Sequence, residues 1–172
     1  MLNKLFTKIS GGSTSGTPAE ANAVYAPMTG SIVILDQVPD PVFSGKMLGD
    51  GLAILPSSGD VLAPFDGEVV SLFPTGHAIG LVSDGGIECL IHIGIDTVEF
   101  NGTGFTAKVE QGDKVKKGQL LIKADLAVIR ASGKDIITPV IITNPTVWQP
   151  VQLTSGEVQA GKDIVFRVAK KG

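Results

Sequence analysis

Val24-Tyr25-Ala26-Pro27-Met28-Thr29-Gly30-Ser31-Ile32-Val33 returns at an offset of 37 residues as Val61-Leu62-Ala63-Pro64-Phe65-Asp66-Gly67-Glu68-Val69-Val70, with five of ten positions identical. In each copy an Ala-Pro step enters a turn closed by glycine, and β-branched residues follow as a strand. A looser echo relates Gly112-Asp113-Lys114-Val115-Lys116-Lys117-Gly118-Gln119 to Gly156-Glu157-Val158-Gln159-Ala160-Gly161-Lys162. Each of these turn-rich segments leads into an apolar strand, Leu120 to Ile122 and Ile164 to Val168. Two related β-units packed on a shared core explain both echoes.

Composition agrees. With 172 residues, 43% hydrophobic and 18% charged, the chain suits one domain with a real core. Its 22 Gly and 10 Pro against 5% aromatic point to many turns between short strands, an all-β class with little helix. The net charge of -3 lacks the basic stripe of a nucleic-acid binder. Cys89 is the only cysteine, so no internal disulfide exists. It alternates onto one strand face with Ile87, Ile91 and Ile93 and reads as a buried structural thiol. Nothing approaches the roughly 18 apolar residues of a membrane span, and residues 1–10 lack a secretory signal, so a cytoplasmic protein is expected.

Leu2, Leu5, Phe6 and Ile9 follow the spacing of one helical face, with Lys4 and Lys8 off it. Residues 1–10 thus read either as a short amphipathic helix with weak affinity for anionic membrane, or as a tail with chance periodicity. Residues 11–23 have the composition of a flexible linker, leaving 24–172 as the folded domain. One short helix is expected at Asp125 to Ala131, capped by Asp125 and ended by Gly133. Val140 to Thr143 and Trp148 to Leu153 read as strands.

The two histidines are His77 and His92. In Glu88-Cys89-Leu90-Ile91-His92-Ile93-Gly94-Ile95-Asp96, alternation puts Leu90, His92 and Gly94 on one face, opposite Ile91, Ile93 and Ile95. The Gly94 carbonyl can then accept the Nδ1 hydrogen of His92, leaving Nε2 as a free nucleophile, with open space where Gly94 lacks a side chain. The same alternation puts the Thr75 hydroxyl beside His77, close enough to fix its tautomer. A second imidazole so held can donate a hydrogen bond to a phosphoryl oxygen. An isolated strand histidine is more often a satisfied structural residue, and on spacing alone both readings stand.

Leu90-Ile91-His92-Ile93-Gly94-Ile95-Asp96-Thr97-Val98-Glu99 resembles the signature around the phosphorylated histidine of the glucose-family IIA components of the bacterial phosphoenolpyruvate-dependent sugar phosphotransferase system. Thr75-Gly76-His77-Ala78 resembles their second-histidine segment. Val38 to Phe43, Val61 to Pro64 and Leu121 to Asp125 fit the same family in order and spacing. The resemblance implies an antiparallel β-sandwich of the duplicated hybrid motif type. It implies a phosphotransferase component: a phosphoryl group passes from the phosphohistidine of the carrier HPr to His92, and on to a cysteine of the IIB domain of a sugar permease. His77 matches the residue that stabilises the phosphate, and Thr75 its hydroxyl partner.

The family's apolar docking set falls on Val42, Phe43, Met47, Leu48, Phe73, Leu90 and Val98, which as residues could equally be core. Asp40 and Asp96 match acidic residues that receive an arginine from the carriers; read without the family, Asp40 is a turn residue and Asp96 a strand-end cap. No cofactor is required, although the resemblance allows a weak zinc site in which a partner's carboxylate joins His77 and His92. It also allows regulation of other permeases, glycerol kinase or adenylate cyclase. Leu90 and Ile93 depart from family positions that are often aromatic. Two competing readings are weaker. A zinc peptidase needs about three protein ligands, and there are only two histidines. A biotinyl or lipoyl carrier, to which Val109 to Asp125 is similar, needs a modified hairpin lysine in a Met-Lys-Met or Asp-Lys-Ala segment, and neither occurs.

Overall fold

The computed structural model describes residues 19–172. The helix expected at 1–10, with its membrane reading, and positions 11–18 of the expected linker lie outside the described residues.

The first echo is a structural repeat. In copy one, β1 (Ala23–Tyr25) and β2 (Gly30–Ile34) flank the Ala-Pro turn; in copy two, β4 (Asp60–Leu62) and β5 (Gly67–Leu72) do so. The copies lie against each other and exchange backbone hydrogen bonds. Tyr25 N–H donates to Pro64 O (2.9 Å) and Leu62 N–H donates to Pro27 O (2.8 Å), equivalent groups in both directions.

The second echo supplies the edges. β13 (Glu157–Val158) pairs with β2 through Val158 and Gly30, and β9 (Lys114–Val115) pairs with β5 through Val115 and Gly67. The remaining strands are β3 (Asp50–Pro56), β6 (Ala78–Ser83), β7 (Glu88–His92), β8 (Phe105–Ala107), β10 (Leu120–Ala124), β11 (Thr138–Ile142), β12 (Trp148–Val151) and β14 (Ile164–Lys170). One sheet runs β13-β2-β3-β11-β7-β6-β5-β9, and two small sheets run β1-β14-β12 and β4-β10-β8. The pairings are antiparallel throughout, as expected of this sandwich.

Between the large sheet and the small ones lies the main core, including Leu52, Ile54, Ile79, Leu81, Cys89, Ile91, Leu121, Val140, Phe166 and Val168. Fully burying each such aliphatic side chain contributes about 1.5–3 kcal/mol. Cys89 is among them, as alternation anticipated. The expected short helix is present at Leu126–Ala131, with Asp125 accepting from Val128 N–H.

A second cluster, Leu35, Val38, Phe43, Ala53, Ile95 and Ile141, with Leu90 packed against it, lies on the opposite face of the large sheet. It is roofed by the β2–β3 connection, which carries a 3-10 turn (Leu35–Gln37) and a one-turn helix (Pro41–Ser44). Here the structure corrects the sequence reading. β7 ends at His92, Gly94 takes a φ of 77°, and Ile95 joins Leu90 in this second cluster instead of lying opposite it. A left-handed glycine breaks the period-two pattern on which that expectation rested.

The echoing glycines explain their own presence. A Cβ on Gly30 would lie 2.1 Å from Leu55 O, and one on Gly67 2.1 Å from Val82 O. Gly30→Ala and Gly67→Ala should each cost about 2–3 kcal/mol or more by overpacking. Gly85→Ala, which meets nothing closer than Ser83 Oγ at 3.8 Å, should stay within about 0.5 kcal/mol of wild type. Urea unfolding of the three variants checks this.

Candidate functional site

β6 and β7 pair with Ala78 opposite His92, and Ile93 N–H donates to His77 O at 2.7 Å. This register sets the two histidines side by side where the hairpin meets the rim of the large sheet. Their ring centroids are 5.0 Å apart and nearly perpendicular, at 79°. The Phe43 ring lies 5.0 Å from His92 and the Phe73 ring 5.3 Å from His77, so the imidazoles form the middle of a four-ring row. His92 is half-buried, and His77 is buried with 4% exposed.

Each Nδ1 is engaged. His92 Nδ1–H donates to Gly94 O at 2.8 Å; a carbonyl can only accept, so the Nδ1 proton is required and Nε2 is left with its lone pair. His77 Nδ1 is hydrogen-bonded to Thr75 Oγ1. Thr75 and His77 sit in the β5–β6 turn rather than on a strand, and Gly76, at φ 76°, brings them together. The space at Gly94 is likewise not open: a Cβ there would meet Thr97 Cγ2 at 2.6 Å and Asp135 O at 2.9 Å.

Burial sets the protonation of the pair. Desolvation, then the neighbouring His92 ring, pushes His77 down to about 4. Desolvation also lowers His92 below the usual histidine range, opposed by the Gly94 hydrogen bond and by the carboxylates of Asp40 and Asp96. Both rings are therefore neutral at neutral pH.

The sequence and the fold match known proteins. The family model for the phosphoenolpyruvate-dependent sugar phosphotransferase system, EIIA 1, matches residues 22–147, more than half of the chain. The chain belongs to this family. It is also similar to the glucose permease IIA from Mycoplasma capricolum, at 42% identity and a TM-score of 0.80, over 84% of this chain and 93% of that one. As an EIIA 1 protein it is a transferase component of sugar transport, and the family implies interaction with HPr and a IIB domain. No helix among the described residues is long and apolar enough to cross a membrane.

The other expected site residues of this EIIA 1 protein divide by exposure. Val42, Met47 (72% exposed), Leu48, Phe73 and Val98 are exposed, and Leu90 is half-buried. Phe43, expected on the docking surface with core as its alternative, is 4% exposed and belongs to the second cluster, where the Pro41–Ser44 turn packs it down. Asp40 caps that turn, accepting from Val42 N–H at 2.9 Å, so it is a turn residue as well as a neighbour of His92. Asp96 makes no capping bond, and its φ of 61° places it in the left-handed region. Among the described residues no group of three or more His, Cys, Asp or Glu could hold a metal ion.

Sequence reasoning missed the contacts of both phenylalanine rings with the histidines: Phe43 and His92 are 49 positions apart and share no periodic signal, and Phe73 meets His77 across the β5–β6 turn, where strand alternation does not apply. The supports of the Gly94 turn, Thr97 and Asp135, were missed as well, although Thr97 lies inside the family signature.

A pH prediction follows from His77. Between 6.5 and about 4 the unfolded chain binds a proton that the folded His77 refuses. Its stability contribution is thus intact above 6.5 and lost as pH falls towards 4, by about 3 kcal/mol at roughly 1.4 kcal/mol per pH unit. In urea unfolding from about pH 7 to about pH 4, the advantage of wild type over His77→Gln should shrink by about that amount, with shared carboxylate effects cancelling.

Proposed function

We propose that this IIA component carries its phosphoryl group on His92 Nε2, taking it from the phosphohistidine of HPr and giving it to a cysteine of a sugar permease's IIB domain. The supporting observation is the His92 Nδ1–H bond to Gly94 O at 2.8 Å, which leaves the one nucleophilic lone pair of the neutral ring on Nε2. In the first transfer that lone pair forms the new N–P bond as the P–N bond to the HPr histidine breaks, and the donor imidazole keeps the electron pair. In the second, a cysteine thiolate forms the S–P bond and His92 recovers its lone pair.

Charge moves onto the His92 ring when Nε2 is bonded to phosphorus. Gly94 O, Asp40 and Asp96 are the groups that favour a positive ring, so they stabilise the phosphorylated state and the path to it. Thr75 Oγ1–H donates to His77 Nδ1, which leaves Nε2–H of His77 to donate to a phosphoryl oxygen. The exposed apolar residues around the pair serve as the docking face for both carriers, with Asp40 and Asp96 as charged guides. The likeness to a glucose permease IIA favours a glucose-type permease as the destination.

Phosphorylation by phosphoenolpyruvate, enzyme I and HPr, followed by mass mapping, tests the assignment. His92→Ala should take up no phosphate, and full labelling of that variant would sink the reading. His77→Gln should accept phosphate yet pass it to IIB poorly, because a neutral amide donates one hydrogen bond but cannot take up charge during transfer. Donation to the IIB cysteine at the wild-type rate would remove His77 from the mechanism.

Asp40→Arg and Asp96→Arg should slow association with HPr at low salt, and the loss should narrow as salt screens the charges. Stopped-flow binding across ionic strength reads this directly; unchanged rates at low salt would take both residues out of the interface.

A further inference from the structure

The Gly94 carbonyl reaches His92 because the chain turns sharply after β7, and the contacts of that turn converge on Thr97. Thr97 is fully buried. Its hydroxyl donates to Ile93 O at 2.6 Å, closing the turn across residues 93–97. Its methyl, Cγ2, stands where a side chain on Gly94 would be, 2.6 Å from an ideal Cβ. Within the closed span Gly94 and Asp96 are both left-handed, at φ 77° and 61°. Aspartate tolerates the left-handed region better than most L-residues, at a cost that the closed turn offsets. On the outer side, Ile95 N–H donates to Asp135 O at 3.0 Å.

We propose that Thr97 is a positioning residue for the relay: by holding the Ile93 carbonyl, its hydroxyl keeps the Gly94 carbonyl on His92 Nδ1 and the Asp96 carboxylate beside the ring. Thr97 acts on the reacting nitrogen through the backbone. Released from the clamp, the turn relaxes, the Gly94 carbonyl swings off Nδ1, and His92 samples the tautomer whose Nε2 carries the proton and cannot attack phosphorus. The inference rests on His92 being the phosphoryl acceptor.

The test is the 15N spectrum of the His92 ring in the full chain at neutral pH, with phosphoryl uptake from phospho-HPr measured alongside. Wild type should have a protonated Nδ1 and a lone-pair Nε2. Thr97→Val keeps the shape but not the hydroxyl, so its two ring nitrogens should shift towards each other as tautomers mix, and uptake should slow about tenfold to a hundredfold. Thr97→Ser keeps the hydroxyl and should restore the wild-type ring pattern and most of the rate. A residue with a merely structural role would change stability and leave the ring nitrogens where they are. If Thr97→Val fails to fold, Thr97→Ala, which sets no apolar group against the Ile93 carbonyl, carries the same contrast with Thr97→Ser. Unmoved His92 nitrogens in a folded Val or Ala variant overturn the inference, as does a Ser variant that behaves like Val. Failure of wild-type His92 to take phosphate would overturn the relay reading instead, and the tautomer comparison would still decide what Thr97 holds.

Discussion

Two backbone hydrogen bonds, Tyr25 N–H to Pro64 O and Leu62 N–H to Pro27 O, tie the two copies of the repeat together. Proline has no N–H to give but retains its carbonyl, so Pro27 and Pro64 can only receive, and each copy receives what the other donates. That reciprocity fixes the relative placement of β1 and β4, and through them the two small sheets. It also places Gly30 and Gly67 against neighbouring carbonyls, which starts β2 and β5 in equivalent positions of the large sheet. The core and the hairpin that carries both histidines depend on this junction.

The site balances opposing terms on one imidazole. Burial disfavours charge on His92, while Gly94 O, Asp40 and Asp96 favour it. Burial prevails in the resting state, so the ring is neutral and its lone pair available. In the proposed relay the counter-charges have their effect when phosphorus binds and the ring becomes positive. His77 lacks such counter-charges, is pushed down to about 4, and stays neutral.

Much of this was legible in the sequence, for identifiable reasons. The repeat was visible because Ala, Pro and Gly are tied to backbone geometry, and geometry is what the copies share. The Nδ1 bond of His92 was legible because it spans two residues and needs only a carbonyl. The platform over Ile141 was not, because the β2–β3 connection folds on contacts distant in sequence, such as Phe43 with His92. Nor was the course of the chain beyond Gly94, where one positive φ overrides alternation and carries Ile95 across the sheet.

The pairing registers give the repeat a final consequence. Gly30 pairs with Pro56 and Gly67 with Ser83, so Gly51 of β3 occupies the place of Ala78 of β6. Ala78 faces His92, whereas Gly51 faces Ile141. The internal counterpart of His92 is thus an aliphatic residue sealed beneath the β2–β3 connection. Symmetry offered two equivalent seats, and the longer loop of one copy closed one of them. The proposed relay, having a single seat, cannot hold donor and acceptor together: its kinetics would be those of a double displacement, in which one visitor must leave before the next sits down.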